Sequence, residues 1–302
     1  MPQSRPLDPT LAAVVREQTG VSWSRARSLC ADGCVTVDGE PWLDPATRVP
    51  AGVSIVVRQD GPKPERGPLA KDAIIHADRD IVVVEKPPGM LTVADEAGNR
   101  ETLAEYVRTL LRRTGGGDVG LGVVHRIDRD TSGLVVFTRT AEAKRVLAAA
   151  FRAHDIDRVY HAIAHGRVGE TSIESELVMD RGDGLRGSRG SFRRGGGGLS
   201  AGARRSVTHV RPIARLKGAT LVECRLETGR QHQIRIHLSE RGHPLVGERV
   251  YIRDYTGLRI EAPRTMLHAR TLGFAHPRSG EQLAFEREPP ADFQAIVERL
   301  RG

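Results

Sequence analysis

The spacing of apolar residues near the N-terminus predicts two short helices and a β-hairpin. Apolar side chains recur at helical spacing, and a short alternating strand then runs into an Asp-Gly turn, which is typical of a hairpin. The predicted boundaries are Asp8 and Gly20 for the first helix, Ser22 or Ser24 and Gly33 for the second, and Val35 to Val37 for the strand. These elements predict a compact module over residues 1–58. Residues 59–70 are interpreted as a linker because they are rich in Pro and Gly.

A longer mixture of apolar runs and helical periodicities fills residues 71–302. The predicted helices are Glu101–Arg113, a helix capped by Thr140, and Asp292–Leu300. The predicted strands are Ile81–Glu85, Gly133–Thr138, Arg158–Ala164, Thr220–Glu227 and Gln231–Leu238. Strands outnumber helices and do not alternate with them regularly, so the pattern favours an α+β fold over a doubly wound sheet.

The positive charge of the chain is concentrated in one segment. The net charge is +8 and the sequence pI is near 9.9. Residues 181–206 hold seven Arg, one acidic residue and nine Gly, whereas residues 1–58 hold six Arg and six acidic residues. With few apolar residues, 181–206 is predicted to be a flexible insert between strands. A basic balance suits a polyanionic partner, although charge alone is weak evidence.

Several classes of protein are disfavoured by the sequence. No apolar run approaches the length of a membrane helix, and no signal peptide is visible. The three Cys residues form neither a disulfide framework nor a paired zinc knuckle. The glycine-rich stretch Gly115–Gly122 lacks the residues of a phosphate-binding loop and is predicted to be an ordinary loop. The expectation is a cytoplasmic protein without membrane contact, metal or cofactor.

Two polar runs are candidates for chemistry. His125–Gly133 places two Asp and two Arg in a short loop directly before an apolar strand, and loops at strand ends commonly carry catalytic groups. Spacing alone fits a salt-bridged turn equally well. The second run is Glu227–His237; as a strand, it would place Gln233, Arg235 and His237 on one face. His232 and His237 would then lie on opposite faces, which argues against a zinc site.

Together these runs resemble the RluA-type family of RNA pseudouridine synthases. His125–Gly133 is similar to the family's His-Arg-Leu-Asp-x-x-Thr-Ser-Gly signature, with Ile127 in the Leu position. Thr228–Leu238 is similar to its Thr-Gly-Arg-x-His-Gln-Ile-Arg-x-His-Leu run. Further similar stretches are Ile81–Gly89, Arg158–Ala162 with Arg158 where Lys is usual, Gly242–Gly247, Leu267–Ala269 and Phe274–Pro277. The resemblance spans roughly Asp78 to Pro290 and implies a mixed, mainly antiparallel sheet.

The resemblance implies that the chain is an isomerase that converts uridine to pseudouridine in structured RNA. Asp128 would be the nucleophile, either adding to the uracil ring or trapping the ribose after the base departs. Arg235 would be its positive partner, and Tyr160 would stack on the base and help to remove a proton late in the reaction. Arg126 would fill the gap left by the flipped base, and Leu267 would belong to the apolar pocket wall. The further implied substrate contacts are His125, Thr131, Gly229, Arg230, His232 and Gln233.

The N-terminal module resembles the small alpha-L RNA-binding domain of ribosomal small-subunit protein four over roughly Leu7 to Val57. Its neutral charge departs from that of a strongly basic RNA binder, and a degenerate packing domain is the alternative. Trp23, Arg25 and Arg27 could form a local basic face. Arg193 and Arg194 of the insert are further candidates for RNA contact.

The expected partner is RNA. Large-subunit ribosomal RNA is favoured because an alpha-L module is commoner in the ribosomal members of the resembling family, with transfer RNA as the alternative. A monomer is expected. A catalytically inactive RNA-binding protein would be expected to lack Asp128, Tyr160 or Arg235, and all three are present. A methyltransferase would need a nucleotide-type glycine fingerprint, which the sequence lacks.

Overall fold

A computed structural model describes residues 8–31, 33–42, 44–58, 69, 71–94, 101–113, 120–182, 184–191 and 202–301. The first of two compact units lies within Met1–Pro68 and Ala94–Arg100, and the second within Leu69–Val93 and Glu101–Gly302. Of the predicted linker 59–70, only residue 69 is among the described residues, and Arg193 and Arg194 lie outside them. No helix in the described ranges combines the length and apolar character needed to cross a membrane.

The first unit contains two helices and a three-stranded sheet. They are α1 Leu11–Thr19, α2 Trp23–Ala31, β1 Val35–Val37, β2 Glu40–Pro41 and β3 Ile55–Val57, with the sheet order β2-β1-β3. Both hairpin-turn residues, Asp38 and Gly39, have positive φ, as the predicted Asp-Gly turn requires. The third strand, β3, was not predicted. A core that includes Leu11, Val15 and Leu29 is completely or almost completely buried between these elements.

The start of α1 corrects one prediction. Thr10, not Asp8, caps the helix, because the Thr10 Oγ1 atom accepts a hydrogen bond from the Ala13 amide at 3.2 Å. Asp8 lies two residues too early, and its carbonyl accepts a hydrogen bond from Arg48. The predicted end of α1 is confirmed, since Gly20 adopts the left-handed conformation (φ 71°). Of the two predicted caps for α2, Ser22 is the one that accepts from the Arg25 amide.

The second unit is built on an eleven-stranded mixed sheet. After a 3-10 turn at Lys71–Ala73, the strands and helices follow as β4 Ile74–Ala77, β5 Ile81–Lys86, α3 Leu103–Arg113, β6 Gly122–Val123, β7 Ser132–Thr138, α4 Ala141–Ala153, β8 Asp157–His165, β9 Thr171–Val178, β10 Gly187–Ser188, β11 Arg204–Leu216, β12 Ala219–Leu226, α5 Gln233–Glu240, β13 Leu267–Ala275, β14 Gln282–Glu286 and α6 Ala291–Arg301. The sheet order is β10-β9-β11-β12-β8-β13-β7-β5-β4, with β14 paired to β13 and β6 to β7. Only β13 and β7 run parallel among the described pairs. The α+β prediction is confirmed.

Both faces of the sheet are covered at β5 and β7, which explains why these strands are continuous apolar runs. Their residues alternate between two cores. One face, with Val82, Val84 and Val135, packs in the same core as the apolar side of α3. The other face, with Ile81, Val83 and Val136, packs in the same core as Leu147 of α4. The α4 cap is Thr140, as predicted, with its Oγ1 accepting from the Ala143 amide.

One prediction for the second unit is wrong. Gln231–Leu238 is not a strand, because Gln233–Glu240 forms helix α5. Residues 233–238 of this helix are all buried, so their alternating polar and apolar sequence has no solvent-facing side to mark a helical period. The predicted flexible insert is also partly regular, since β10 pairs with β9, and β11 begins at Arg204 and pairs with the same strand.

Candidate active site

The second unit contains a cleft of about 640 Å³ that gathers residues from distant parts of the chain. All the predicted catalytic and substrate residues of this unit except Arg235 line it, namely His125, Arg126, Asp128, Thr131, Tyr160, Gly229, Arg230, His232, Gln233 and Leu267. Arg235 reaches Asp128 from beside the cleft. The two polar runs that the sequence singled out therefore meet at one place.

The loop between β6 and β7 carries Asp128, and two buried cations hold its backbone. The Lys86 ammonium group donates to the carbonyls of Pro87, Met90 and Arg129 at 2.8–2.9 Å. Burial lowers the pKa of Lys86 to about 7, although Asp130 and Asp128 raise it. Three donated hydrogen bonds use all three ammonium protons, so the geometry is that of the charged form.

The next carbonyl of the same loop is held from another element. The Arg264 guanidinium donates to the Asp130 carbonyl at 2.9 Å and is itself paired with Asp292 of α6 at 2.6 Å. Within the loop, the Thr131 amide donates to the Asp128 carbonyl at 3.2 Å. The backbone on the C-terminal side of Asp128 is thus fixed at consecutive positions. Neither Lys86 nor Arg264 was among the predicted site residues.

The carboxylate of Asp128 faces two positively charged or chargeable groups without hydrogen-bonding to them. Its Oδ2 atom lies 3.6 Å from Arg235 Nη1, and its Oδ1 atom lies 3.8 Å from His232 Nε2. Within the described part of the chain, no donor hydrogen-bonds to this carboxylate. Asp128 therefore has an attractive charge nearby while its oxygen lone pairs stay available to a molecule in the cleft.

Arg235 is held in place by Glu248, which the sequence did not identify. Two parallel hydrogen bonds of 2.7 and 2.8 Å join the Arg235 guanidinium to the buried Glu248 carboxylate. Burial by itself would raise the pKa of Glu248, but Arg235 and the amides of Val250 and Tyr251 lower it to about 2. The only available sequence signal was that a buried Arg requires a carboxylate partner, and no spacing rule selects Glu248.

A tyrosine and an apolar wall lie on neighbouring strands. Tyr160 of β8 is 9% exposed, and the cleft wall also includes Leu267 at the start of β13. Burial raises the pKa of Tyr160, while Arg158 lowers it and Asp128 raises it further. Close packing of β7 and β13 requires Gly133, because a Cβ atom there would lie 2.2 Å from the Ala269 carbonyl oxygen.

Two predicted substrate contacts, His125 and Gln233, also form hydrogen bonds within the protein. The Gln233 amide accepts from Thr228 and the Arg230 backbone, and donates to Val207 and Thr208, so its hydrogen-bonding capacity is filled. His125 Nε2 accepts from the Val136 amide at 3.0 Å, and burial lowers the pKa of this histidine to about 3. Both residues line the cleft, and these hydrogen bonds fix the position of its wall.

The two histidines of the second run, His232 and His237, lie in surroundings that differ from those predicted for a strand. His232 caps the N-terminus of α5 in the left-handed conformation, and its Nδ1 atom lies 2.8 Å from the Tyr251 hydroxyl. His237, on the buried side of the helix, bonds to Thr208 and Ser175. The opposite-face geometry that was used to reject a zinc site does not exist, because the segment is helical.

One group outside the cleft has metal-ligand geometry. Asp78, Asp80 and His276 place ligand-type atoms within 4.8 Å of one another. Their atoms already have protein partners, since Arg278 pairs with Asp80, and both His76 and His276 bond to Asp78. This group fits a hydrogen-bonded structural cluster.

The candidate RNA contacts of the first unit lie on α2. Trp23 is 44% exposed, Arg25 and Arg27 are also exposed, and the Arg16 guanidinium lies 5.2 Å from the Trp23 ring centre. An aromatic side chain and several cations therefore share the surface of this unit.

Comparisons with known proteins agree with one another. A family model described as RNA pseudouridylate synthase matches residues 80–240. The chain is 36% identical over 312 residues to Ribosomal large subunit pseudouridine synthase D of Zymomonas mobilis, covering 97% of this chain and 93% of that protein. It is 32% identical over 290 residues to an uncharacterized RNA pseudouridine synthase of Mycobacterium bovis, covering 94% and 91%. Human RNA Pseudouridylate Synthase Domain Containing 4 has a similar fold, with a TM-score of 0.63, 22% identity and coverage of 76% and 93%.

Proposed function

The chain belongs to the RNA pseudouridylate synthase family, and from this premise we propose that it isomerises uridine in large-subunit ribosomal RNA with Asp128 as the nucleophile. The observation that carries the proposal is the Asp128 carboxylate, which lies in the cleft beside Arg235 with no hydrogen bond from a described residue. The reaction breaks the bond between N1 and C1′ and forms one between C5 and C1′. C5 loses a proton and N1 gains one, so no redox partner is required.

Asp128 must be ionised to attack the substrate. The Arg235 guanidinium supplies positive charge at 3.6 Å, and Glu248 keeps it from moving away. Because the Arg235 guanidinium also pairs with Glu248, its pairing with Asp128 is weak enough for the Asp128 carboxylate to move toward the substrate. Attack on the uracil ring and attack on the ribose both use this same oxygen, and both remain open.

Tyr160 is proposed to handle the C5 proton after the new carbon–carbon bond has formed. Because burial raises the pKa of Tyr160, its phenol is protonated at neutral pH. Its oxygen can therefore accept the C5 proton only while it passes its own proton to another group. Asp128, whose charge already acts on the phenol, can take that proton once it has been released from the covalent intermediate. Asp128 then gives its proton to water, and N1 takes one from water, so the enzyme returns to its starting state.

The target nucleotide must leave its base stack to reach Asp128. We propose that Arg126, which is exposed on the cleft rim, occupies the vacated space with its planar guanidinium, while Leu267 contacts the flipped base. Arg230 and His232 are proposed to contact the substrate from the opposite wall.

The ribosomal substrate is proposed from the relatives, several of which are named large-subunit pseudouridine synthases. The test is to map pseudouridines in ribosomal and transfer RNA from cells that lack the gene. We expect pseudouridine to be lost at particular large-subunit positions and restored by the intact gene, but not by Asp128→Asn. Loss confined to transfer RNA would replace the substrate assignment, and no loss in either RNA would refute the function.

The first unit is proposed to add RNA affinity without taking part in chemistry. The supporting observation is the exposed group of Trp23, Arg25 and Arg27 on α2. Trp23→Ala with Arg25→Gln and Arg27→Gln should weaken binding to folded RNA while single-turnover chemistry at saturating RNA is retained. Equal binding by the triple variant and the intact chain at low and high salt would contradict this role.

The chain is further proposed to act as a monomer in the cytoplasm. Its three cysteines are free and buried, which suits a reducing compartment. Light scattering of the purified protein tests the monomer, and a mass of two chains would contradict it.

A further inference from the structure

A second, smaller groove adjoins the catalytic cleft in the second unit. It has a volume of about 290 Å³, and its polar lining includes three arginines, Arg186, Arg204 and Arg230. Met179, Leu177 and Ile236 supply its apolar surface. Arg204 and Arg230 line the catalytic cleft as well, so the two depressions share a wall. We call this second depression the arginine groove.

The arginines of the surrounding segment divide into two groups. Arg181, Arg189 and Arg205 each form an ion pair with a glutamate, at 4.0 Å to Glu240, 3.4 Å to Glu176 and 2.7 Å to Glu174. Across the described ranges, no carboxylate pairs with Arg186, Arg204 or Arg230. The three arginines without a carboxylate partner among the described residues are the ones that line the groove.

Two of the groove arginines, Arg204 and Arg230, lie close enough for their charges to repel. The Arg230 Nε atom is buried and has no hydrogen-bond partner among the described residues. Burial lowers the pKa of Arg230, and the neighbouring Arg204 lowers it further. The Arg186 guanidinium lies 2.6 Å from the Met179 sulfur, a weak acceptor that supplies no negative charge. No carboxylate among the described residues offsets these charges, and a bound anion would offset them.

We propose that the arginine groove binds the backbone phosphates of the RNA strand where it leaves the catalytic cleft. This inference rests on the proposed function, which supplies a polyanion that must pass beside Asp128. A guanidinium matches phosphate oxygens with two parallel donors, and three arginines along one groove suit the phosphates of a single strand. Met179, which is 64% exposed, provides an apolar surface against which an unstacked base can lie.

The test compares two double variants with the same change in net charge. Arg186→Gln with Arg204→Gln removes groove charges, whereas Arg189→Gln with Arg205→Gln removes paired charges from the same segment. Equilibrium binding to a short single-stranded uridine-rich RNA is measured over a range of salt concentrations. Losing two phosphate contacts should reduce the slope of log affinity against log salt by about 1.4. If the intact protein and the variant bind equally at about 1 M salt, the variant should therefore bind about 25-fold more weakly than the intact protein at about 0.1 M salt.

The control variant should keep the slope of the intact protein, because its arginines already neutralise glutamates. Arg186→Lys with Arg204→Lys should also keep the slope, since charge is retained, and it guards against a folding defect in the Gln variant. Equal flattening in the groove and control variants would mean that only total charge matters. An unchanged slope in the groove variant would mean that RNA does not lie there, and either result overturns the proposal.

Failure of the groove can be separated from failure of the proposed function. If the intact protein forms pseudouridine but the groove variant keeps its salt slope, only the groove assignment is wrong. If the intact protein forms no pseudouridine in any RNA tested, the proposed function fails, whatever the slopes show. In the groove variant, the RNA concentration needed for half-maximal single turnover should rise more than the rate at saturating RNA falls, because its arginines position the strand.

Discussion

The tripeptide Asp-Arg-Asp occurs twice in this chain, and the two copies do different things. One copy is residues 78–80, directly before β5, and the other is residues 128–130, directly before β7. Since β5 and β7 are antiparallel neighbours, the two tripeptides lie at opposite ends of the same strand pair. Their sequences are identical, so the difference between them must come from what surrounds them.

The carboxylates of the first copy are fully occupied by protein groups. Asp78 accepts from the amides of Asp80 and Ile81 at 2.7 and 2.9 Å and bonds to His76 and His276. Asp80 is buried, bonds to Thr140, and is paired through both oxygens with Arg278. Every one of these contacts stabilises the ionised carboxylate and also blocks it.

In the second copy, no described residue donates a hydrogen bond to the Asp128 carboxylate. Its closest charged partner lies 3.6 Å away, and that partner, Arg235, makes its own strong hydrogen bonds to Glu248 instead. Asp128, the proposed nucleophile, therefore has a positive charge nearby without a direct hydrogen bond from it, whereas Asp80 is hydrogen-bonded to its cation. The buried and saturated copy serves stability.

The largest effect is expected when the first Asp of each copy is replaced. Asp128→Asn should reduce single-turnover isomerisation of one labelled uridine by about 10⁴-fold or more, since an amide cannot act as the nucleophile. The same change at Asp78 should leave turnover within about threefold in protein that remains folded. Turnover lost equally in both variants would show that the two copies do not divide into one that acts in catalysis and one that stabilises the fold. RNA binding by Asp128→Asn should stay unchanged.

The next largest effect is expected at the anchor of Arg235. Glu248→Gln keeps the shape of the side chain but removes the charge that fixes the guanidinium, and a displaced catalytic partner costs about 10²-fold in rate. The loss should appear in kcat more than in KM, because Glu248 does not touch the RNA. Glu288→Gln, which removes the surface partner of Arg270, is the matched control and should change neither constant. A rise in KM with an unchanged kcat would argue against a positioning role.

The first copy should show its importance in stability instead of activity. Asp80→Asn loses a charged hydrogen-bonded pair at a buried carboxylate, which should lower the free energy of unfolding by about 1–3 kcal/mol in urea titrations. Its turnover should stay within about twofold. Asp157→Asn, which breaks the more exposed pair with Arg225, should cost less than about 1 kcal/mol. A stability loss no larger than that of Asp157→Asn would contradict the structural role.

The smallest effect is a pH dependence of that stability. The hydrogen bonds from Arg278 are the largest cause that lowers the pKa of Asp80, to about 2, whereas an unfolded Asp titrates near about 3.9. A carboxyl whose pKa is depressed by folding contributes its full stability above the unfolded pKa and loses it as the pH falls through the folded pKa. The gap between the intact protein and Asp80→Asn should therefore narrow between about pH 4 and pH 2. A gap that stays constant to about pH 2.5 would show that the pairing does not act through the charge.

Elements with local signals were predictable from sequence. The Thr140 cap, the Gly20 helix end and the Asp38-Gly39 turn each depend on neighbouring residues only, and the structure contains all three. Helix α5 was not predictable in this way, because its residues 233–238 are all buried and show no exposed face. The strand pairing of β10 with β9 likewise depends on residues that are not adjacent in sequence.

Motifs that resemble a known family were enough to indicate which loop carries the candidate nucleophile and which side chains accompany it. The two identical tripeptides could not be separated by their own residues. The folded chain brings Arg278, 198 residues away, onto Asp80, and it places Glu248 where it holds Arg235 at a distance from Asp128. The physical reason is that the reactivity of a carboxylate depends on the groups within a few ångströms, and the sheet topology sets which groups those are.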